Sequence, residues 1–223
     1  NRRSESWIAQ SLSAIVATIA RRNGLTPRVH ARLAGIQVAA MRQQAKSDIA
    51  FIADIGRRYD AVATVKAGTL ILAPAGIGAT AAGTPISGVT IERAMCAGGV
   101  DYTRKTRDEH DGVEAEWHDQ ASGQRQTVRV GGTKNARRLK RTYANAGDAQ
   151  AAAEGARRRD ARSGAECTLT LAHGDARLMP ETPVTLAGFK AEIDAAAWLV
   201  TDVTHNIGNG GYLTEVSLEL ANP

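Results

Sequence analysis

The densest collection of carboxylates and imidazoles in the chain is Asp108-Glu109-His110-Asp111, followed shortly by His118-Asp119. Such residues could ligate a metal ion or share acid and base duties in a hydrolysis, provided further groups converge with them on a pocket. Four adjacent residues in a turn before Gly112 point in different directions, however. The pattern predicts a solvated hairpin loop and not a site. His205 stands in a half-apolar strand pattern and reads as a hydrogen-bonded structural histidine. No G-x-S-x-G, Walker sequence or paired Cys-His arrangement occurs. The expectation is therefore no catalytic, no cofactor-binding and no metal-ligating residues, and no hydrolase, transferase or nucleotide-dependent activity.

Two other patterns invite a chemical reading. Gly76-Ile77-Gly78-Ala79-Thr80-Ala81 imitates a dinucleotide-binding fingerprint, but Gly83 and Pro85 follow at once. They forbid the helix whose N-terminus would hold the pyrophosphate. Basic runs at residues 134–141 and 157–162 could neutralise phosphates, which raises nucleic-acid binding as an alternative function. Aromatic residues for stacking are nearly missing there, so a solvated face or contact with an acidic partner is the simpler reading. A peptidoglycan hydrolase is a third class, without a second glutamate-centred motif to support it.

Composition bounds the rest. With 223 residues, of which 43% are hydrophobic, the chain can bury a core of one large domain or two modest ones. Aromatic residues are only 4% and glycines number 22, which favours small and branched core side chains with many turns. A formal charge of +5 biases contacts toward anions without marking a polycation. Cys96 and Cys167 match no zinc or C-x-x-C spacing, as expected of a protein made in a reducing cytoplasm; their redox state stays open. No apolar stretch reaches membrane-helix length, and no membrane insertion is expected. A polar start without methionine suggests a piece of something longer.

These residues need elements to hold them. Ile8, Leu12, Ile15, Val16 and Ile19 recur at helical spacing, with Ser11 placed to cap and Asn23-Gly24 to terminate. Thr26-Pro27 opens an extended piece, and Ser47-Asp48 caps a second helix with Ile49, Ile52 and Ile55 on its apolar face. Residues 61–66 and 69–73 form a hairpin around Gly68. Linker composition follows at 74–85. In residues 113–130 the alternation predicts one hairpin with a wet face, in register Glu114 opposite Arg129 and Ala115 opposite Val128. Ala149, Ala152, Ala153 and Ala156 make a small-residue helix face closed by Gly164. Residues 198–207 and 212–220 form a final antiparallel pair, whose last strand must be covered at its edge.

Four segments in order resemble the late control protein D hub of contractile-tailed phages and its relatives, the VgrG-type spike proteins of injection systems. They are the opening helix into Arg22-Asn23-Gly24-Leu25; Gln43 to Ile52, similar to a Q-x-x-x-S-D-x-x-F-L helix entry with Ile52 in place of leucine; the Gly68 hairpin; and a C-terminal block. That block holds Glu181-Thr182-Pro183 through Phe189, Trp198 through His205, similar to W-x-V-x-x-V-x-H, and Gly211-Tyr212-Leu213-Thr214. Residues and resemblance together give an α+β fold class. A small α/β unit of helix, strand, helix and hairpin (1–84) precedes an antiparallel β-barrel-like hub domain (85–223) with one helix inserted near 148–162. The family's N-terminal barrel is expected to be absent from this chain. The resemblance implies a structural baseplate or tail hub of the virion, made in the host cytoplasm. It also implies a homotrimer that joins the central spike to tail tube or tape-measure proteins. It implies no cofactors, no enzyme activity and no specific nucleic-acid ligand.

Overall fold

The computed structural model describes residues 2–105, 110–209 and 211–221. In chain order the elements are β1 (Arg2–Ser11), α1 (Leu12–Arg22), β2 (Thr26–Val29), α2 (Ala31–Ala34), β3 (Gln37–Ser47), α3 (Asp48–Tyr59), β4 (Ala61–Lys66) and β5 (Thr69–Pro74). Strands β6 (Val89–Glu92), β7 (Asp101–Arg104), β8 (Gly112–His118), β9 (Arg125–Gly131) and β10 (Ala136–Tyr143) lead to α4 (Ala146–Arg162). The chain ends with β11 (Ala165–Leu171), β12 (Pro183–Ala187), α5 (Ala191–Asp194), β13 (Trp198–Gly208) and β14 (Gly211–Leu220). The fold is mixed α+β and mostly strand.

Two compact units divide these elements, and the division does not fall at residue 84. The first holds residues 1–75, 81–83 and 110–159; the second holds 76–80, 84–109 and 160–223. Residues 110–159, expected in a second domain, fall instead in the same unit as the opening segment.

Within the first unit, α1 and α3 carry the larger core. Ser11 caps α1 by accepting from the Ala14 N–H, and Ser47 caps α3 by accepting from the Ala50 N–H. Leu12, Ile15, Val16 and Ile19 of α1 pack with Phe51, Ile52, Ile55 and Tyr59 of α3 and with Leu70 and Leu72 of β5. Two expected apolar positions lie outside this core. Ile8 belongs to β1, paired with Ala40 of β3, and is exposed; Ile49 is exposed at the start of α3. The helix begins at Leu12, where the Ser11 cap places it, and Ile8, counted into its apolar spacing, belongs to the strand before it. The predicted hairpin is present as β4–β5, turning on Ala67 and Gly68, both at positive φ, with β2 added parallel to β5.

A smaller core in the same unit lies under α4. Val113 and Ala115 of β8 meet Ala149, Ala153 and Ala156, all with no exposed surface, so the alanine face is buried as expected. The β8–β9 register is the predicted one, with Glu114 opposite Arg129 and Ala115 opposite Val128. Its charged face is less wet than predicted, because β10 pairs parallel to the other edge of β8. Glu114 thus sits between Arg129 on one side and Arg138 on the other, and only 9% of it is exposed.

The second unit is built on one curled sheet in the order β6-β12-β13-β14-β11-β7. All its ladders are antiparallel except β6–β12, which is parallel. The hairpin expected at the C-terminus is β13–β14, and β14 lies inside the sheet between β13 and β11. Its backbone groups are thus satisfied on both sides. Trp198, Val200, Val216, Leu218, Leu169 and Leu186 form the core.

Candidate functional site

Asp108 and Glu109 lie outside the described residues, so their half of the acidic cluster has no structural account. The other half is engaged in holding a chain crossing. To place β10 beside β8, the backbone after β9 must pass across the start of β8 within a few residues. Gly112, Gly131 and Gly132 make room for it. A Cβ on Gly112 would lie 2.1 Å from the Gly132 carbonyl oxygen, and one on Gly131 would lie 2.6 Å from that of Asp111. Asp111 fastens the crossing: its carboxylate accepts from the N–H groups of Lys134 at 2.9 Å and Asn135 at 2.8 Å. Donation from Asn135 holds its carboxyl below the usual aspartate range. The His110 Nδ1 lies 3.1 Å from the Asn135 carbonyl oxygen on the same loop.

Asp119 has a comparable local task in the β8–β9 turn. Its carboxylate accepts from the Ser122 hydroxyl at 2.6 Å and the Ala121 N–H at 3.0 Å, and the Ser122 contact lowers its pKa first. His118 and His110 are not brought together with a third ligand. Among the described residues no group of three or more His, Cys, Asp or Glu side chains could hold a metal.

His205 is pinned between elements of the second unit. Its Nε2 lies 3.2 Å from the Leu178 carbonyl, which can only accept, so this nitrogen carries the proton. Nδ1 is then the acceptor for the hydroxyls of Thr214 and Tyr212, each at 3.0 Å. The arrangement is a fixed hydrogen-bond node, as its strand position suggested.

The glycine-rich stretch does bind an anion, though not a phosphate. Three successive N–H groups, Gly76 at 3.0 Å, Ile77 at 3.1 Å and Gly78 at 3.3 Å, donate to the carboxylate of Glu181. Such a run of amides with Gly76 and Gly78 at positive φ is a backbone nest, and here the chain fills it with its own side chain. Sequence reasoning missed Glu181, which lies about a hundred residues away and has no spacing relation to the glycines.

The basic runs are largely consumed internally. Arg138 bonds Glu116 at 3.1 Å and reaches Glu114 at 3.4 Å. Arg158 and Arg159 approach the buried Asp60 carboxylate at 3.4 and 3.6 Å, and Arg159 also donates to the Arg57 carbonyl at 2.7 Å. Arg162, itself buried, bonds Glu219 at 2.8 Å. These contacts explain the arginines as fasteners of β8–β10 and α4, with Arg141 left as an exception. No helix among the described residues is long and apolar enough to cross a membrane.

The chain is similar to known proteins over nearly its full length. The model of the phage tail baseplate hub (GPD) family matches residues 1–211. The probable baseplate hub protein of Escherichia phage 186 is 32% identical over 262 residues, covering 99% of this chain and 67% of its own length. Its counterpart from Escherichia phage P2 is 31% identical with the same coverage. Among solved structures, a prophage tail protein from Shewanella oneidensis superposes with a TM-score of 0.67 at 15% identity, covering 96% of this chain and 66% of that one. An E. coli component of the type VI secretion system, itself described as similar to bacteriophage T4 tail proteins, gives a TM-score of 0.60 at 12% identity, covering 99% and 51%. These structures share the fold; the chain spans about two thirds of the curated relatives it matches. With the family model matched over nearly the whole sequence and curated relatives close to one-third identical across it, the chain belongs to the phage tail baseplate hub family and is a structural hub protein of the virion tail.

Proposed function

We propose that the protein acts as a homotrimer in the assembled tail, between the central spike and the tail tube of a contractile machine, and that it works there without catalysing a reaction. The family match over residues 1–211 carries this reading. Residue-level support comes from the groups capable of chemistry: Asp111, Asp119, Glu181 and His205 each serve a loop, nest or strand contact. The barrel-like arrangement expected of the second half draws support from the curl of the six-stranded sheet. Its outer strands β6 and β7, together with β1, β2, β3, β4, β9 and β10 at the margins of the other sheets, have edges unpaired among the described residues. Symmetric rings commonly cover such edges between subunits.

A basic nucleic-acid module would need free cations on one face, whereas Arg138, Arg158, Arg159 and Arg162 are tied to carboxylates. The test is stoichiometry. Light scattering of the full-length protein bound to its spike should give three copies of the hub chain per particle, and a stable dimer or hexamer would refute the trimer. Turnover of cell-wall peptidoglycan by the purified protein would refute the non-enzymatic reading.

A further inference from the structure

Within the first unit, β1, β3, the end of α3 and the end of β10 enclose an open cleft of about 330 Å³. One side is apolar, from Ile8 and its cross-strand partner Ala40; the other is polar, from Arg58, Arg141 and Tyr143. Both guanidinium groups lie against the same ring, Arg58 at 5.5 Å and Arg141 at 6.0 Å from the Tyr143 centroid, so the aromatic face holds two cations in place. Arg58 is the unusual one. Its side chain is only 9% exposed, yet its Nη1 has no hydrogen-bond partner. The carboxylate of Asp148 is 3.6 Å away, near enough to attract and too far to accept a hydrogen bond. A buried guanidinium with so distant a counter-ion is costly, and a carboxylate entering the cleft beside it would offset that cost. Arg141, at the rim, is free of ion pairs among the described residues, as is Arg42 on the facing strand.

We propose that this cleft is a carboxylate-binding site, which receives an acidic side chain presented by a partner polypeptide. Three guanidinium groups against one carboxylate leave the cleft cationic. The planar fork of the exposed Arg141 matches a carboxylate with the charge of Arg58 behind it, and the Ile8–Ala40 side suits the methylene stem and apolar neighbours of a glutamate in a chain. Asp148 in the same cleft disfavours a dianion such as phosphate, whose second charge it would repel. The site does not depend on the trimeric reading, since the partner is defined only by its chemistry.

The test is a nuclear magnetic resonance titration of the full-length protein with three probes: a blocked Ala-Ile-Glu-Ala peptide, the same peptide with glutamine, and inorganic phosphate. The glutamate peptide should shift the Arg58 and Arg141 side-chain N–H signals and the Tyr143 ring saturably, with the glutamine peptide at least about tenfold weaker. Arg141→Gln, at an exposed position, should weaken the glutamate peptide about tenfold while leaving the melting temperature unchanged. Arg58→Gln should remove binding altogether; should it fail to fold, Arg141→Gln alone decides. No saturable shift with the glutamate peptide, or binding indifferent to Arg141→Gln, overturns the site. Phosphate saturating the same signals as well as the glutamate peptide overturns the assignment to a polypeptide.

Discussion

Gln43, with no surface exposed, donates a side-chain N–H to the carboxylate of Asp48 at 3.0 Å. Its amide also donates to the Lys46 carbonyl at 3.0 Å, which shapes the chain just before Ser47 caps α3. Asp48 in turn accepts from Asn23 at 2.9 Å, and Arg22 and Arg3 stand 3.4 and 3.6 Å away. Asn23 closes α1, bonding the Ile19 carbonyl at 2.8 Å. One carboxylate therefore joins the C-terminal end of α1 to the N-terminal end of α3, where a negative charge also complements the helix dipole. The Q-x-x-x-S-D spacing of the family-like segment has this physical content: the glutamine orients, the serine caps and the aspartate links.

Asp48→Asn should lower stability by about 2–3 kcal/mol, because it strands a buried amide and two guanidinium groups that now share the charge. Gln43→Ala should cost a comparable amount through the same node. Chemical denaturation of each variant and of the double mutant checks this, and the double mutant should cost less than the sum.

The same node sets an acid limit. Burial works against the charged form of Asp48, but the hydrogen bonds from Gln43 and Asn23 and the charges of Arg22 and Arg3 outweigh it and hold the pKa below the ordinary 3.8. A folded-state value lower than the unfolded one means that the unfolded chain takes the proton first. The stabilisation is present in full above the ordinary value and is lost as pH falls from there through the lower folded value. Asp54, held down by Lys46 and Arg57 against its own burial, adds in the same direction. Stability measured between pH 6 and pH 2, both bounds chosen to span about two units either side of the ordinary value, should fall less steeply for Asp48→Asn than for the parent.

Glu181→Ala should leave the Gly76, Ile77 and Gly78 amides without their acceptor, at a cost of about 1–2 kcal/mol. Hydrogen exchange at those three amides is the sharper readout, since protection should drop there before it drops in β13 or β14. Unchanged exchange would mean that the nest does not depend on its carboxylate.

What the sequence revealed and what it concealed divide by distance along the chain. The caps at Ser11 and Ser47, the turn at Gly68 and the Glu114–Arg129 register are local, and each depends on residues a few positions apart. The β13–β14 pair was legible for the same reason. Strand β3 was not: its residues alternate, but its partner β1 looked like the start of a helix, and the pairing of Ile8 with Ala40 decides the matter. The parallel placement of β10 depends on three glycines and Asp111 at a crossing that no periodicity marks. Glu181 in its nest and Arg58 against Tyr143 are contacts across about a hundred and about eighty residues, and only the fold brings them together.

The two thiols should differ in reactivity. Burial, then the proximity of Cys96, pushes Cys167 up to about 11, and burial also raises Cys96, partly offset by Arg93. At pH 8 about one Cys167 in a thousand is then a thiolate, and it is the thiolate that attacks. A disulfide reagent should titrate Cys96 slowly in the folded protein and reach Cys167 only on unfolding. Two equal fast phases in the native state would contradict this.

Gly155 lies inside α4, where replacing glycine by alanine ordinarily gains about 1 kcal/mol of helix propensity. Here the sign should reverse. A Cβ at this position would lie 2.9 Å from the Arg58 carbonyl oxygen and 3.2 Å from the Asp60 N–H nitrogen, and both neighbours are backbone, which cannot swing aside. Asp60 is itself held in the left-handed conformation at φ 52° with 2% exposure, and its carboxylate faces Arg158 and Arg159 from the next turn of α4. Pushing the helix away would lengthen both ion pairs and open the alanine face over Val113 and Ala115. Gly155→Ala should therefore destabilise by about 1–3 kcal/mol, a drop of roughly 2–4 °C in Tm for each kcal/mol. Gly147→Ala, in the first turn of the same helix, meets only the movable Asn145 side chain at 3.3 Å and should be neutral or slightly stabilising. A gain in Tm from both substitutions would show that propensity outweighs the close approach, and that α4 is not seated on the turn at Asp60 as tightly as these distances require.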